Sequence, residues 1–341
     1  MYHKEKVIGC NISGGLGNQF FRYAIARRLF EDIKKKGENY TFIMNTDGLD
    51  NHGVRGNIYD FNIINHQKCN SRRLVFVYGN LCQKSLYLCY SVINKLSLHP
   101  KIYTVIIKRL KKALGSKGIV TSENPDNETL YLPTQKLNKL FTYGSFEKYS
   151  YFSSIKEILK NELKPTHPTL ESNKTLYSII SSTNSVCLAV RRGDFLIGNN
   201  KKIFHVCDNT YFEEAIKYIK EKIDNPTFIV FSNDIEWVKE KITIDAPTYY
   251  ESCKDPVWET FRLMYSCKHF IISNSTMHWW AQFMSNNEDK IVVAPDRWYN
   301  APGWEEHLMM DNFIRIKTGV KNPFKKPDND KKLYKHSHPL R

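Results

Sequence analysis

The stretch VIGCNISGGLGNQFFRYAIARRLFEDIKKKG, residues 7–37, decides the fold class. Its apolar start predicts a strand, and the glycines within 13–17 predict a tight turn. A helix is expected over 18–36, because one of its faces is apolar at helical spacing: Tyr23, Ala26, Phe30 and Ile33. Gly37 ends the helix, and a second strand is expected at 40–44. This strand–turn–helix–strand order predicts the opening of an α/β domain with a parallel sheet.

The second half of the chain alternates strands and helices more plainly. The expected strands share apolar, β-branched composition and lie at 185–190, 227–231, 269–272 and 290–294. Asn209 is expected to cap the helix after the first of them. The middle of the chain is harder to interpret, and there we expect a helical stretch over 85–114 and, after it, a short strand at 141–143. We predict an N-terminal α/β domain over 1–165, a C-terminal Rossmann-like domain over 166–320 and a basic tail over 321–341.

Composition bounds the kinds of partner. The 341 residues carry 50 Lys and Arg against 35 Asp and Glu, a net charge of +15, concentrated in 101–117 and in the tail. A solvated basic surface and peripheral attachment to an anionic membrane face are both open interpretations. Nucleic-acid binding ranks below both, because neither basic run carries regularly interleaved aromatic residues.

Cysteine spacing and hydropathy limit the chemistry and the compartment. None of the eight cysteines forms a C-x-x-C pair, which argues against zinc and thioredoxin-like sites. No apolar run approaches the ~20 residues of a membrane span. The first residues are polar and lack the apolar core of a signal peptide. The expected location is therefore cytoplasmic, with peripheral contact at the inner face of the membrane as a variant.

Four polar clusters follow predicted strands, where parallel sheets bind their ligands. They are Gly14–Gln19, Arg191–Asp194, Ser232–Asp234 and Ser273–Thr276. Two adjacent arginines at a strand end favour a bidentate oxyanion such as a phosphate. The serine and threonine hydroxyls at a helix start could cradle a second one. Together the clusters favour a site for a phosphorylated nucleotide.

Each cluster also has a structural interpretation. The glycines could form a bare turn, the arginines could pair with Asp194, and serine or threonine could simply cap helices. Trp279 and Trp280 could stack on a base or sugar or could pack in the core. The glycine loop is not G-x-G-x-x-G, because Phe20 occupies the third glycine position, so a nicotinamide or flavin site is not favoured.

A metal site is not expected. The D-x-D pattern of the chain, Asp328-Asn329-Asp330, lies in the lysine-rich tail with no strand before it. Arginines can neutralise a departing diphosphate where other transferases use a divalent cation.

Longer motifs, in order, resemble a known family. They are GGLGNQFFRYAIARRL (14–29), YGSFEKYSYF (143–152), AVRRGDF (189–195), LMYSCKHFIISNSTMHWW (263–280) and VVAPDRWYN (292–300). This set is similar to the bacterial α1,2-fucosyltransferases of glycosyltransferase family eleven. The resemblance implies a GT-B-like α/β fold, in which two Rossmann-like domains face a cleft. It also implies an inverting, metal-independent transfer of L-fucose from GDP-β-L-fucose to O2 of a terminal galactose, in surface-polysaccharide or O-antigen synthesis.

The resemblance also implies residue roles. The C-terminal domain would bind GDP-fucose, the N-terminal domain would lie on the acceptor side, and no further cofactor would be needed. Catalytic roles are expected for Arg191, Asp194 and Asn18. Donor contacts are expected from Arg191, Arg192, Ser232, Asn233, Asp234, Glu259, Asn274, Ser275, Thr276, Gly15 and Gly17. Contacts with the galactose-terminated acceptor are expected from Asn18, Gln19 and Trp279.

The sequence departs from the family pattern at two places. Ala189 stands where the family usually has a histidine, and His205 or Asn233 could supply what that histidine contributes. Met277-His278 replaces a common Phe-Ser pair. The group that assists the attacking hydroxyl stays open between Asn18 and Asp194. A nucleotide-binding α/β protein without transferase activity remains an alternative, as does a basic nucleic-acid-binding protein.

Overall fold

The computed structural model describes residues 5–47, 49, 56–69, 73–96, 99–122, 130–301 and 307–324. These residues form two compact units. Apart from the residues after 327, the first comprises residues up to 54 together with Ile64–Leu159, and the second comprises Arg55–Ile63 together with Lys160–Pro327. The D-x-D pattern at 328–330 and most of the predicted basic tail lie outside the described residues.

The first unit is built around a parallel sheet in the order β3-β2-β1-β5-β4. Its strands are β1 (Val7–Asn11), β2 (Thr41–Asn45), β3 (Gln67–Cys69), β4 (Ile119–Ser122) and β5 (Lys139–Gly144). Its helices are α1 (Leu16–Lys34), α2 (Leu74–Tyr78), α3 (Leu81–Ile93) and α4 (Pro100–Ser116). Strand β1 pairs with β2 on one side and with β5 on the other, so the chain changes direction across the sheet at β1.

The second unit carries a parallel sheet in the order β11-β10-β9-β6-β7-β8. Its strands are β6 (Asn184–Val190), β7 (Pro226–Ser232), β8 (Thr248–Tyr250), β9 (His269–Ile272), β10 (Val292–Pro295) and β11 (Ile314–Ile316). The helix α5 (Lys156–Glu162) precedes α6 (Lys174–Ser182), α7 (Gly198–Phe204), α8 (Asn209–Lys222), α9 (Ile235–Lys241), α10 (Val257–Ser266) and α11 (Thr276–Met284).

This strand order is the 3-2-1-4-5-6 order of dinucleotide-binding sheets. The first strand of the unit, β6, lies between β7 and β9, so consecutive connections leave it in opposite directions. Ligands of such sheets bind beyond the carboxyl ends of the strands at this switch point. The core beneath it is apolar, since Val186, Leu188, Phe228, Val230 and Ile271 all have no exposed surface.

The structure confirms the α/β class and the two Rossmann-like domains, and it corrects local details. The helical stretch expected over 85–114 is two helices, α3 and α4. Asp208, and not Asn209, caps α8, because its Oδ1 accepts a hydrogen bond from the backbone N–H of Tyr211 at 3.1 Å. All eight cysteines are free. Within the described ranges, no helix has the length and apolar character needed to cross a bilayer.

Candidate active site

Three of the predicted clusters meet at the switch point of the second sheet. The hydroxyl of Ser273, after β9, donates to the carbonyl of Ala189 at 2.9 Å and accepts from the backbone N–H of Arg191 at 3.0 Å. The side chain of Asn233, after β7, accepts from the backbone N–H of Arg192 at 2.9 Å. These hydrogen bonds therefore fix the backbone of both arginines against the segments that follow the two neighbouring strands.

Arg191 presents its guanidinium to solvent. Its side chain is 37% exposed, and its Nη2 donates to Oδ1 of Asp194 at 2.7 Å. The guanidinium carbon also lies 5.5 Å from the centre of the Phe195 ring. Because a guanidinium has five N–H donors in a planar fork, the pair with Asp194 leaves donors available for an oxyanion.

Arg192 is held much more firmly. Its Nε donates to Oδ2 of Asp234 at 3.0 Å, and its guanidinium carbon lies 3.5 Å from the centre of the Trp237 ring. Its side chain is only 17% exposed. A cation stacked on an indole and paired with a carboxylate is fixed in place. Arg192 therefore fits a positioning role better than a direct one.

A glycine permits the close approach between these two loops. Gly193 has a φ of 45°, and a Cβ at this position would lie 2.2 Å from Nδ2 of Asn233. Any side chain here would push Asn233 away from the backbone of Arg192. The Arg-Arg-Gly order thus has a steric reason.

The start of α11 has the features of an anion-binding helix N-terminus, and Ser273, just before it, bonds to the backbone of Arg191. The first backbone N–H groups of a helix have no partner within it, and they carry partial positive charge. Ser275 precedes the helix, its side chain makes no capping bond, and the carbonyl of Ser275 accepts from Trp279 at 3.0 Å. The hydroxyls of Ser275 and Thr276 are thus not committed to a hydrogen bond within the described part of the chain. This geometry suits phosphate oxygens.

Other predicted donor and acceptor residues have structural roles instead. Asn274 is 3% exposed, and its amide donates to the carbonyls of Phe204 at 2.9 Å and Trp298 at 2.8 Å. Its side-chain amide fastens two loops together, and its contact with phosphate oxygens stays a prediction. The hydroxyl of Ser232 accepts from the backbone N–H of Asp234 at 2.9 Å and so shapes its own loop.

Trp279 and Glu259 are also buried and hydrogen-bonded within the second unit. Trp279 has no exposed surface, and its indole N–H donates to the carbonyl of Leu308 at 2.9 Å, so it packs in the core and does not stack on the acceptor. Glu259 is likewise fully buried. Its two oxygens accept from Arg262 Nη1 at 3.1 Å and from the backbone N–H of Leu170 at 3.1 Å. A carboxylate engaged in this way is not presented to guanine.

The structure also adds a histidine that the sequence interpretation did not assign. His278 in α11 is 5% exposed, and its Nδ1 has no hydrogen-bond partner among the described residues. Burial, and then the positive charge of Arg191, lowers the pKa of His278 to about 3. A neutral imidazole therefore lies close to Arg191. The sequence did offer a sign of this, because Met277-His278 stands where the family commonly has Phe-Ser.

His205, proposed as a replacement for the family histidine, lies on the Arg192 side of the site. Burial lowers its pKa, and the positive charges of Lys201 and Arg192 lower it further. Its backbone carbonyl accepts from Nδ2 of Asn300 at 2.8 Å, which fixes the loop before α8.

The glycine loop of the first unit follows β1 as expected. Gly14 has a φ of 81°, and its carbonyl accepts from the side chain of Gln19 at 2.9 Å. Gln19 is fully buried and holds the turn in place, and its contact with the acceptor stays a prediction. Gly15 is exposed, with nothing within 4 Å of a Cβ built there. Asn18 is half-buried, and its Oδ1 accepts no hydrogen bond within the described ranges.

In the described part of the chain, no group of three or more His, Cys, Asp and Glu is placed to hold a metal ion.

Comparison with known proteins places the chain among glycosyltransferases. It is 28% identical to the Escherichia coli alpha-1,2-colitosyltransferase, over 86% of this chain and 92% of that one. It is also 28% identical to the E. coli O-antigen biosynthesis glycosyltransferase WbnK, over 89% of this chain and 99% of that one. A stretch of 109 residues is 29% identical to human galactoside alpha-(1,2)-fucosyltransferase 1, which is 31% of this chain and 30% of that one. The model of Glycosyl transferase family 11 matches residues 81–317, more than half of the chain, and the protein is therefore a member of glycosyltransferase family 11.

Proposed function

We propose that this enzyme transfers L-fucose from GDP-β-L-fucose to O2 of a terminal galactose, with inversion and without a metal ion, in O-antigen or related surface-polysaccharide synthesis. The names of three relatives support the parts of this proposal: an alpha-1,2-colitosyltransferase, an O-antigen glycosyltransferase and a galactoside alpha-(1,2)-fucosyltransferase.

The observation that carries the proposal is the position of Arg191. Its partly exposed guanidinium lies at the switch point of a dinucleotide-type sheet, close to the start of α11. Departure of GDP from the sugar places negative charge on the β-phosphate. A guanidinium and helix-start N–H groups aimed at that oxygen stabilise the charge as it develops. Arg192, stacked on Trp237, then holds the loop that carries Arg191 in place.

The buried imidazole of His278 supports the electrostatics of this site. Because its pKa is lowered to about 3, it is neutral at physiological pH and adds no second positive charge beside Arg191. The full charge at this point thus belongs to the arginine that would meet the diphosphate.

Asn18 remains our preferred candidate for the group that assists the acceptor hydroxyl. The carboxylate of Asp194 already accepts a charge-assisted bond from Arg191 at 2.7 Å, whereas Oδ1 of Asn18 accepts none among the described residues. In an oxocarbenium-like transition state the C–O bond to GDP is largely broken before O2 bonds to the sugar, so the hydroxyl needs only to be oriented, which an amide oxygen can do. The proton of O2 is then released to solvent after the glycosidic bond has formed.

A transfer assay tests the proposal. Purified protein is incubated with GDP-fucose or GDP-colitose and with lactose, other β-galactosides or galactose-free controls, in EDTA or in MgCl2. NMR of the product should show an α-linked fucose on O2 of galactose, formed equally in EDTA. Transfer of colitose alone would correct the donor, because one relative carries that name. GDP binding with no product from any pair would support a nucleotide-binding protein without transferase activity.

A further inference from the structure

One segment of the first unit carries no negative charge. Residues 61–122 contain eleven Lys and Arg and no Asp or Glu, although at the average frequency of the chain about six acidic residues would occur in that length. The segment includes α2, α3 and α4. Its cations therefore have no carboxylate within the segment with which to pair; the flanking acidic residues are Asp60 before it and Glu123 after it.

The same segment exposes apolar side chains. Eight large hydrophobic residues of α2, α3, α4 and the adjoining turn are exposed: Phe76, Val77, Leu81, Leu88, Val92, Leu96, Ile102 and Val105. Leu81 is 82% exposed and Ile102 is 54% exposed. We call these residues, with the cations described below, the α2–α4 face.

Packing within the first unit does not explain the exposed apolar side chains of α3. Gln83, Tyr87 and Tyr90 form its buried side. Leu88 and Val92, at helical spacing from Leu81, form its opposite side, so apolar residues occupy both the buried and the exposed side of the helix. A helix of this kind is normally covered on both sides. Exposed apolar side chains grouped on helices that pack against one another, as α2, α3 and α4 do, are typical of an interaction surface.

Cations border the apolar residues. Lys108, Arg109 and Lys112 of α4 line a pocket of about 360 Å³ together with Val105 and Tyr131. None of these three cations has an ion-pair partner in the part of the chain that the structure describes. The pocket thus combines an apolar wall with three uncompensated positive charges, which suits a phosphate headgroup at the edge of an acyl layer.

We propose that the α2–α4 face docks on the surface of an anionic phospholipid bilayer. Its leucine, isoleucine and valine side chains enter the boundary between headgroups and acyl chains, and Lys108, Arg109 and Lys112 contact lipid phosphates. The absence of carboxylates favours a lipid surface, because a protein partner presents charges of both signs and would be met by some of each. The face also lacks the row of stacking aromatic residues that would favour a nucleic acid. This proposal is independent of which donor and acceptor the enzyme uses.

Flotation with vesicles tests the proposal on the full chain. Vesicles of phosphatidylcholine alone are compared with vesicles in which one third of the lipid is phosphatidylglycerol. Binding is expected only to the anionic vesicles and should weaken as salt is added. Each cation near an anionic surface contributes about fivefold to partitioning, so a triple variant with Lys108, Arg109 and Lys112 changed to Gln should bind about 100-fold more weakly. A Leu88→Ser/Val92→Ser variant should also bind weakly while keeping every charge.

Two control variants change exposed residues of the second unit. Lys217→Gln removes an exposed cation of α8, and Tyr249→Ser removes a side chain that is 41% exposed in β8. Both should float with anionic vesicles like the unchanged protein. Thermal melting of every variant separates a lost surface from a lost fold.

Three results would overturn the proposal. The first is equal flotation of the unchanged protein and both face variants. The second is loss of binding when Lys325, Lys326, Lys331 and Lys332 of the tail are changed to Gln, with the face intact. The third is self-association that the Leu88→Ser/Val92→Ser variant abolishes without any vesicle binding, because it would assign the face to a second copy of the chain.

Discussion

Replacing Arg191 by alanine should separate activity from stability. The ion pair that is lost joins side chains that are 37% and 54% exposed, so its removal should lower the free energy of unfolding by no more than about 1 kcal/mol. The same change removes the cation assigned to the leaving diphosphate. Loss of one such preorganised donor costs about 3–4 kcal/mol in the transition state, which is about 10²- to 10³-fold in kcat.

Arg192→Ala is the matched control for this prediction. Its guanidinium stacks on Trp237 at 3.5 Å and pairs with Asp234 at 3.0 Å, and only 17% of its side chain is exposed. The cation–π contact and the ion pair together should make this change cost about 1–3 kcal/mol of unfolding free energy. We thus expect Arg191→Ala to lower mainly the turnover of the enzyme and Arg192→Ala to lower mainly its stability.

The assay combines kcat and KM for the sugar nucleotide with urea unfolding of each variant. Arg191→Lys should recover part of the lost kcat, because it keeps the charge but not the planar fork. If Arg191→Ala retained full turnover, or lost it only in proportion to unfolded protein, the assignment of Arg191 to the diphosphate would be wrong.

Three further predictions concern buried or unpaired groups. Glu259→Ala leaves the buried Arg262 without its carboxylate partner, so the free energy of unfolding measured in urea should fall by about 3–5 kcal/mol. The KM of the folded enzyme for the donor should not change. A raised KM without loss of stability would restore a role for Glu259 in binding guanine. The lowered pKa of His278 means that the unfolded chain binds more protons between pH 6.5 and about 3. The folded protein therefore loses no stability through His278 above pH 6.5, and the free energy of unfolding falls by about 1.4 kcal/mol per pH unit below it. In the His278→Gln variant, the plot of unfolding free energy against pH should be flatter between pH 7 and 5. Parallel plots for the variant and the unchanged protein would contradict this. Asn18→Ala should reduce turnover more than Asp194→Ala does, and the reverse order in single-turnover assays would move the assisting role to the carboxylate.

The inner strands could be predicted from sequence because burial leaves them apolar. Strands β6, β7 and β9 lie between other strands, and their central residues are apolar: VCLAV in β6, FIVF in β7 and FII in β9. The four strands that sequence analysis did not predict, β3, β4, β8 and β11, are the edges of the two sheets and are three or four residues long. An edge strand of that length depends on pairing with its neighbour and has little pattern of its own.

The place of the site was easier to predict than its residues. Polar clusters after strands located the switch point, because parallel strands bring their carboxyl ends to one edge. Sequence does not show which polar atoms are already used. Asn274 and Gln19 have the right chemistry for ligands, yet their amides bond to backbone carbonyls and fix loops. Burial of Glu259 and Trp279 likewise depends on tertiary packing.

The most direct test of the account is a crystal structure of the enzyme with GDP. The β-phosphate should lie about 2.7–3.0 Å from the guanidinium of Arg191, with its other oxygens facing the first N–H groups of α11. A diphosphate bound elsewhere, with Arg191 contacting only Asp194, would contradict the central claim.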